Sequence, residues 1–451
     1  MDDTIAAIST SLGVGAISII RLSGPDAITI ASSIFDGKDL TKQKSHTITY
    51  GNIVEDGKII DEVLVSVMKS PKTYTKENIV EINCHGGIAT TNKVLEMLIE
   101  KGARLAEPGE FTKRAFLNGR IDLMKAEGIM NLIESETDVA RNLSINQLQG
   151  QTSNLIRDLR SKLVGIISQI EVNIDYPEYE DIEVMTNEKI NPILEEIKTS
   201  LKDIIKKSKN GKVLETGINV AIIGRPNVGK SSLLNNLLDE EKAIVTNIAG
   251  TTRDQIEGRA NINGVIFNFI DTAGIRETND IVEKIGVEKS LNALKNCQLV
   301  ILVLNNNEEL TKEDLELLDK INSKNYIIII NKIDLDSVLD KTPLPKESII
   351  EVSIKDNIGL DKLKEAMINK FNLDSLKQDD MTYLTSARSI GLLKQALTKI
   401  EETIELSKAI TEIDMIEIDL KNAWEILGEI IGETYKEELL DELFSRFCLG
   451  K

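Results

Sequence analysis

The chain has 451 residues, 41% hydrophobic and 28% charged, which calls for two to four domains with ample core and excludes a disordered protein. Its formal net charge of −19 excludes a broad basic face for nucleic acid, so any RNA must be held by a local patch or by a partner. With no apolar run near the roughly 20 residues of a membrane helix, no basic flank at the N-terminus and three cysteines (Cys84, Cys297, Cys448), a reducing cytoplasm is the expected home.

From Thr4 to about Asn118, short β-rich runs dominate: GAISIIRLSG, SHTITYGNIV, DEVLVSVMK and NIVEINCHGG. One helical stretch, Ile88 to Lys101, interrupts them, so residues 1–118 are expected to form a mixed α+β domain. From about Arg120 to Gly211 the spacing turns helical. Leu155, Leu159, Leu163, Ile166, Ile170 and Ile174 recur at steps of three and four, which predicts one apolar helix face. The same texture returns with Leu393, Leu397, Ile400 and Ile404. Each helical block needs a partner for its apolar stripe, and together they flank the middle of the chain. The economical arrangement is one all-α domain in two parts, 119–214 and 373–451, with an α/β domain at 215–372 inserted into it. Pro177 and the short periodic runs weigh against a coiled coil.

The middle segment alternates apolar strands with helices: INVAIIG, VIFNFID, QLVILVLN, YIIIINKID and IIEVS. Near-continuous apolar strands predict a mainly parallel sheet covered on both faces. Asn263-Gly264 between two strand-like runs predicts a type I′ hairpin and hence one antiparallel edge.

Four elements of this segment carry chemistry. Gly224-Arg225-Pro226-Asn227-Val228-Gly229-Lys230-Ser231 follows a strand and opens a helix, the pattern of a phosphate-binding loop. Its backbone N–H groups and helix N-terminus favour anionic phosphates, Lys230 reaches the outer phosphates and Ser231 offers a hydroxyl to Mg²⁺. Asp271-Thr272-Ala273-Gly274 ends the next strand, where a carboxylate can hold Mg²⁺ through water and a glycine can approach the γ-phosphate. Asn331-Lys332-Ile333-Asp334 selects the base: a carboxylate only accepts hydrogen bonds, and guanine offers two adjacent donors where adenine does not. Thr251-Thr252 in IAGTTRD supplies a switch-loop hydroxyl, and the chemistry alone does not say which threonine. Where many GTPases place a water-orienting glutamine after the DTAG element, this chain has Ile275. Glu283 is a candidate replacement, with a solvated charge at a helix start as the alternative.

With both termini, these elements resemble the MnmE (TrmE) family of tRNA modification GTPases over the whole chain. The resemblance rests on DTIAAIST with GVGAISIIRLSG, on PGEFTKRAFLNGRIDLMKAEGI, on GRPNVGKSSLLN, on NIAGTTRD, and on the terminal Phe447-Cys448-Leu449-Gly450-Lys451, where the family usually has FCIGK. It implies an N-terminal folate-binding domain that dimerises, a helical domain and an inserted Ras-like P-loop G domain. It also implies action with the FAD-dependent partner MnmG, as a heterotetramer, to add a carboxymethylaminomethyl or aminomethyl group at C5 of the wobble uridine of certain tRNAs. A tetrahydrofolate supplies the one-carbon unit, and the partner holds much of the tRNA.

By motif match the resemblance assigns the sites. Arg21, Glu81, Arg120 (often Lys in the family) and Lys451 are expected at the folate, with a carboxylate at 81 suited to the donor edge of a pterin. Cys448 beside them is either a nucleophile or a small buried hydrophobe. GTP is expected to lie against Asn227, Val228, Gly229, Lys230, Ser231 and Ser232, the loop Thr246-Asn247-Ile248-Ala249-Gly250-Thr251-Thr252, Asp271 to Gly274, then Asn331, Lys332, Asp334 and Ser353. Ser353-Ile354-Lys355 replaces the usual Ser-Ala-Lys. Ser231 and Thr252 are expected on Mg²⁺. Asn227, Thr246, Ile248 and Thr251 are expected around a K⁺ standing in for an arginine finger, and Glu283 on the attacking water. A ribosome-assembly GTPase or a slow regulatory switch is the rival reading. Neither needs the folate residues or the tail.

Overall fold

The computed structural model describes residues 3–176, 185–239, 256–270, 294, 297–371, 384–409, 413–435, 437–447 and 450. The chain divides into two compact units, one of Met1–Met130, Gln147–Ile197 and Gln395–Lys451, the other of Asn131–Asn146 and Lys198–Lys394.

The first unit is built on a seven-stranded sheet. Its strands are β1 (Ile5–Ile8), β2 (Ile17–Ser23), β3 (Phe35–Gly37), β4 (Thr47–Glu55), β5 (Lys58–Met68), β6 (Ile79–His85) and β7 (Arg104–Leu105). They lie in the order β3-β4-β5-β6-β2-β1-β7, antiparallel except for the β1–β7 pair. Alternation decides the faces: along β5, Val63, Val65 and Val67 are buried while Glu62 and Leu64 are exposed. The buried face packs on α1 (Ala27–Ile34) and α2 (Ile88–Glu100), joining Ile30, Ile34, Val94 and Leu98 to Ile20, Leu22 and Val65. α2 thus fills the predicted Ile88–Lys101 stretch to within one residue.

The helices α3 (Glu110–Leu117) and α4 (Leu123–Glu134) follow the sheet, with α5 (Asp138–Leu148), α6 (Gln151–Asp175) and α7 (Asn187–Thr216) after them. Leu159, Leu163, Ile166 and Ile170 of α6 are buried as the spacing requires; Leu155 is half-buried and Ile174, in the last turn, is exposed. Further helices follow in the chain: Ala387–Ala409, whose first residues still belong to the second unit, then Ile413–Ile431 and Glu437–Phe444. Ile413–Ile431 packs along α6 although some 240 residues separate them in sequence, the pairing that an inserted domain demands. Glu437–Phe444 packs on α3, where Phe444 and Phe447 join Phe116 and Leu123 in one cluster.

The second unit holds a six-stranded sheet: β8 (Ile218–Ile223), β9 (Ile256–Ile262), β10 (Val265–Ile270), β11 (Leu299–Asn305), β12 (Asn325–Asn331) and β13 (Ile349–Glu351). The order is β13-β12-β11-β8-β10-β9, parallel throughout except for β9–β10. That edge is the predicted hairpin, with Asn263 and Gly264 at φ 52° and 85°. All seven residues of β11 are buried, because separate apolar clusters cover its two faces. One cluster includes Leu143 of α5 and Leu214 of α7, so this unit extends beyond 215–372 on the N-terminal side.

Candidate functional site

In the second unit the strand β8 delivers the chain into Gly224–Gly229, and Lys230 begins a helix, Lys230–Asp239. The turn is made possible by left-handed backbone. Asn227 sits at φ 60°, which asparagine tolerates, and Gly229 at φ 102°. Gly229 has a second constraint: a Cβ there would lie 2.4 Å from Asn331 Nδ2. The Lys230 ammonium donates to the carbonyls of Gly224 (2.8 Å) and Arg225 (2.6 Å), so the loop curls around it. Burial pushes its pKa down to about 8, because the charged form is stripped of water.

The Asn331-Lys332-Ile333-Asp334 element is tied directly to this loop. Asn331 Nδ2 donates to the Val228 carbonyl at 2.9 Å, and its Oδ1 accepts from the Ile354 N–H at 3.3 Å. Lys332, left-handed at φ 64°, reaches the Asn227 carbonyl at 3.1 Å. The fully buried Ser353 donates to Asp334 Oδ1 at 2.9 Å and aims that carboxylate. Asn227, Val228, Lys230, Asn331, Lys332, Asp334 and Ser353 therefore form one connected framework, with Ser231 and Ser232 on the first helical turn. The loop's own arginine is committed elsewhere: Arg225 pairs with Glu308 at 2.8 Å and with the buried Asp314 at 3.0 Å. It is not a free cation poised over a γ-phosphate.

Thr246, Asn247, Ile248, Ala249, Gly250, Thr251, Thr252, Asp271, Thr272, Ala273, Gly274 and Glu283 lie outside the described residues, as do Cys448 and Lys451.

The second constellation lies in the first unit, on the sheet face opposite α1 and α2. Arg21 of β2 and Glu81 of β6 are cross-strand partners, and the guanidinium Nε and an Nη both meet Glu81 Oε1 at 2.8 Å. Two donors on one oxygen leave Oε2 with its lone pairs for a ligand. The Arg21 guanidinium lies 5.7 Å from the ring centres of Tyr74 and Phe111, and the Arg120 guanidinium lies 4.5 Å from that of Tyr74. The end of the chain arrives at the same place. The Gly450 carbonyl accepts from Ser9 Oγ at 3.0 Å and from Arg21 at 3.4 Å. Gly450 is left-handed at φ 88°, and a Cβ there would lie 2.4 Å from the Ile8 carbonyl. Phe447, buried against Phe444 with ring centres 5.1 Å apart, holds the tail down.

A buried ion cluster braces this pocket. Arg114, fully buried, contacts Asp3 at 2.7 Å, Glu110 at 3.0 Å and Glu77 at 3.3 Å. Burial alone would raise the Glu110 pKa, but hydrogen bonds from Arg104, the Glu107 N–H and Arg114 hold it below the usual carboxylate range. Sequence reasoning assigned neither Tyr74 nor Arg114. The signal for Arg114 was the Glu110–Arg114 spacing of four on a helix. Cys84 of β6 is buried, and burial raises its pKa, so it stays a thiol.

A strand–loop–helix that wraps a lysine, stitched to an Asn-Lys-x-Asp element at the end of a parallel strand, defines a P-loop GTPase. Two family models divide the chain: that of the MnmE helical domain matches residues 123–448, and that of the GTP-binding protein TrmE N-terminus matches residues 4–120. The tRNA modification GTPase MnmE of Bacillus mycoides (strain KBAB4) is 52% identical over 455 residues, covering 100% of this chain and 99% of that protein. Its counterpart from Streptococcus thermophilus (strain CNRZ 1066) is 52% identical over 451 residues, covering 100% and 98%. The chain belongs to the MnmE family of tRNA modification GTPases, and it is a GTP hydrolase. No helix among the described residues is long and apolar enough to cross a membrane.

Proposed function

We propose that this chain hydrolyses GTP in a K⁺-dependent manner and, with the FAD-dependent partner MnmG, installs a carboxymethylaminomethyl or aminomethyl group at C5 of the wobble uridine of certain tRNAs. Asp334 accepts from the two adjacent donors of guanine, held in line by Ser353. Lys230, already desolvated, stabilises the negative charge that builds on the β- and γ-phosphate oxygens as water attacks the γ-phosphorus and GDP leaves. Ser231 and Thr252 are the residues that would hold Mg²⁺, which neutralises phosphate charge when bound. Asn227, Thr246, Ile248 and Thr251 would enclose a K⁺, and Glu283 orients the attacking water. The commitment of Arg225 to Asp314 and Glu308 supports a cation in this role, since the loop has no free arginine to supply.

Tetrahydrofolate is the one-carbon donor in this reading. Glu81 takes the donor edge of the pterin, Arg21 orients Glu81, and Arg120 and Lys451 are further folate contacts; Cys448 belongs to the same sequence element. The observation that carries the reading is the seating of the Gly450 carbonyl on Ser9 and on Arg21, the arginine that grips Glu81, across more than 400 residues of sequence. The exposed face of the same sheet bears Ile17, Ile48, Tyr50 and Leu64, an apolar surface suited to a second copy of the chain. Homodimerisation there, joined to MnmG in a heterotetramer, would place partner surface beside Arg21 and Glu81. Deleting Phe447–Lys451 in the full-length protein tests the donor site. Binding of 5-formyltetrahydrofolate is expected to weaken at least tenfold while K⁺-stimulated GTP hydrolysis persists. Unchanged folate affinity would remove the tail from the site, and loss of both activities would make it a structural anchor.

A further inference from the structure

Tyr74 belongs to no motif used so far, yet it touches both arginines of the pocket. Its segment is fixed on either side. Thr73 donates to the Glu77 carbonyl at 2.6 Å, Asn118 donates to the Thr75 carbonyl at 2.7 Å, and Glu77 is tied to Ser23 (2.6 Å) and to the buried Arg114. The Tyr74 hydroxyl meets the fully buried Thr112 Oγ1 at 2.9 Å. The ring therefore has little freedom. Two guanidinium groups close to one another repel, and the negative face of one aromatic ring is a means of holding both.

The two arginines differ in what else they have. Arg21 is paired with Glu81, whereas the exposed Arg120 guanidinium has the Tyr74 ring as its contact among the described residues. A cation–π contact uses none of the five N–H donors of a guanidinium. Arg120 is thus oriented without being neutralised, the condition for bidentate capture of a carboxylate. We infer that Tyr74 is a positioning residue that presents Arg120 to a glutamyl carboxylate of the folate, and so fixes which way round the ligand lies. This rests on the folate reading of the pocket. It adds that the pterin faces Glu81 while the acidic tail faces Arg120.

The test uses full-length protein and two probes, 5-formyltetrahydrofolate and the same molecule with both glutamyl carboxylates converted to amides. The wild type is expected to prefer the free acid about tenfold or more. Tyr74→Leu should lose most of that preference, binding the acid about tenfold more weakly and the diamide within twofold, while Tyr74→Phe keeps it. An equal loss on both probes would make Tyr74 a packing residue and overturn the inference. Should Tyr74→Leu fail to fold, Arg120→Gln carries the decision: the preference must disappear in it, and its survival contradicts the proposal. Wild-type protein that binds neither probe overturns the folate reading itself, a result distinct from binding both equally.

Discussion

The two sites of this chain are built in opposite ways. The nucleotide site is made of backbone: carbonyls of Gly224 and Arg225 around Lys230, and carbonyls of Asn227 and Val228 gripped by Lys332 and Asn331. The pocket in the first unit is made of side chains from three separate stretches of the chain, Ser9 and Arg21, Tyr74 and Glu81, and Arg120, with the Gly450 carbonyl beside them. A backbone site demands a fixed spacing, so any chain that has it displays it. A side-chain site demands only that the fold bring residues together, and leaves no local pattern.

The largest expected effect is at the base. Asp334→Asn should swap guanine for xanthine preference, a change on the order of 10⁴, because an amide donates where the carboxylate only accepts. Unchanged GTP affinity by calorimetry would end the base-recognition argument. Next in size is the cation. Hydrolysis in K⁺ should exceed that in Na⁺ by well over tenfold, given that an arginine finger is worth roughly 10³–10⁵. Asn227→Ala should abolish the difference and spare nucleotide binding; equal rates in the two salts contradict the mechanism.

A smaller effect comes from Lys230. An ordinary lysine keeps its proton to about pH 10, whereas burial lowers this one to about 8. Its ammonium is fully charged below that pH and is lost as pH rises through it. GTP affinity should therefore fall roughly tenfold between pH 7 and 9, since one pKa unit above the midpoint leaves about a tenth of the group charged. A flat titration over that range would mean that the loop does not desolvate the lysine.

Much of the nucleotide unit was legible in the sequence for this reason. Five apolar runs gave the parallel strands, Asn263-Gly264 gave the antiparallel edge, and rigid motif spacing gave the loops. The stitch from Lys332 to Asn227 was not legible, since a pairing across 105 residues has no local period. In the first unit, β1 escaped because its four residues, IAAI, are all buried and show no alternation. The helix Glu110–Leu117 escaped because its fully buried positions include a charge, Arg114, and a polar residue, Thr112, which defeats an apolar count. Arg21, Glu81 and Arg120 came from resemblance alone. Tyr74 came from neither, for it is a single aromatic in a polar loop and its meaning lies in the two guanidiniums beside it.

The proposed union, in one chain, of GTP hydrolysis and folate-dependent modification of a wobble uridine predicts a product that can be isolated. Its most direct test is nucleoside analysis of unmodified tRNA incubated with the full-length protein, its FAD-dependent partner, GTP, K⁺ and methylene-tetrahydrofolate. The expected result is a C5-aminomethyl-type substituent on the wobble uridine, present with the intact chain and missing with Glu81→Ala, although that variant still hydrolyses GTP. Modification that proceeds at the full rate in Glu81→Ala, or that needs no folate, would contradict it.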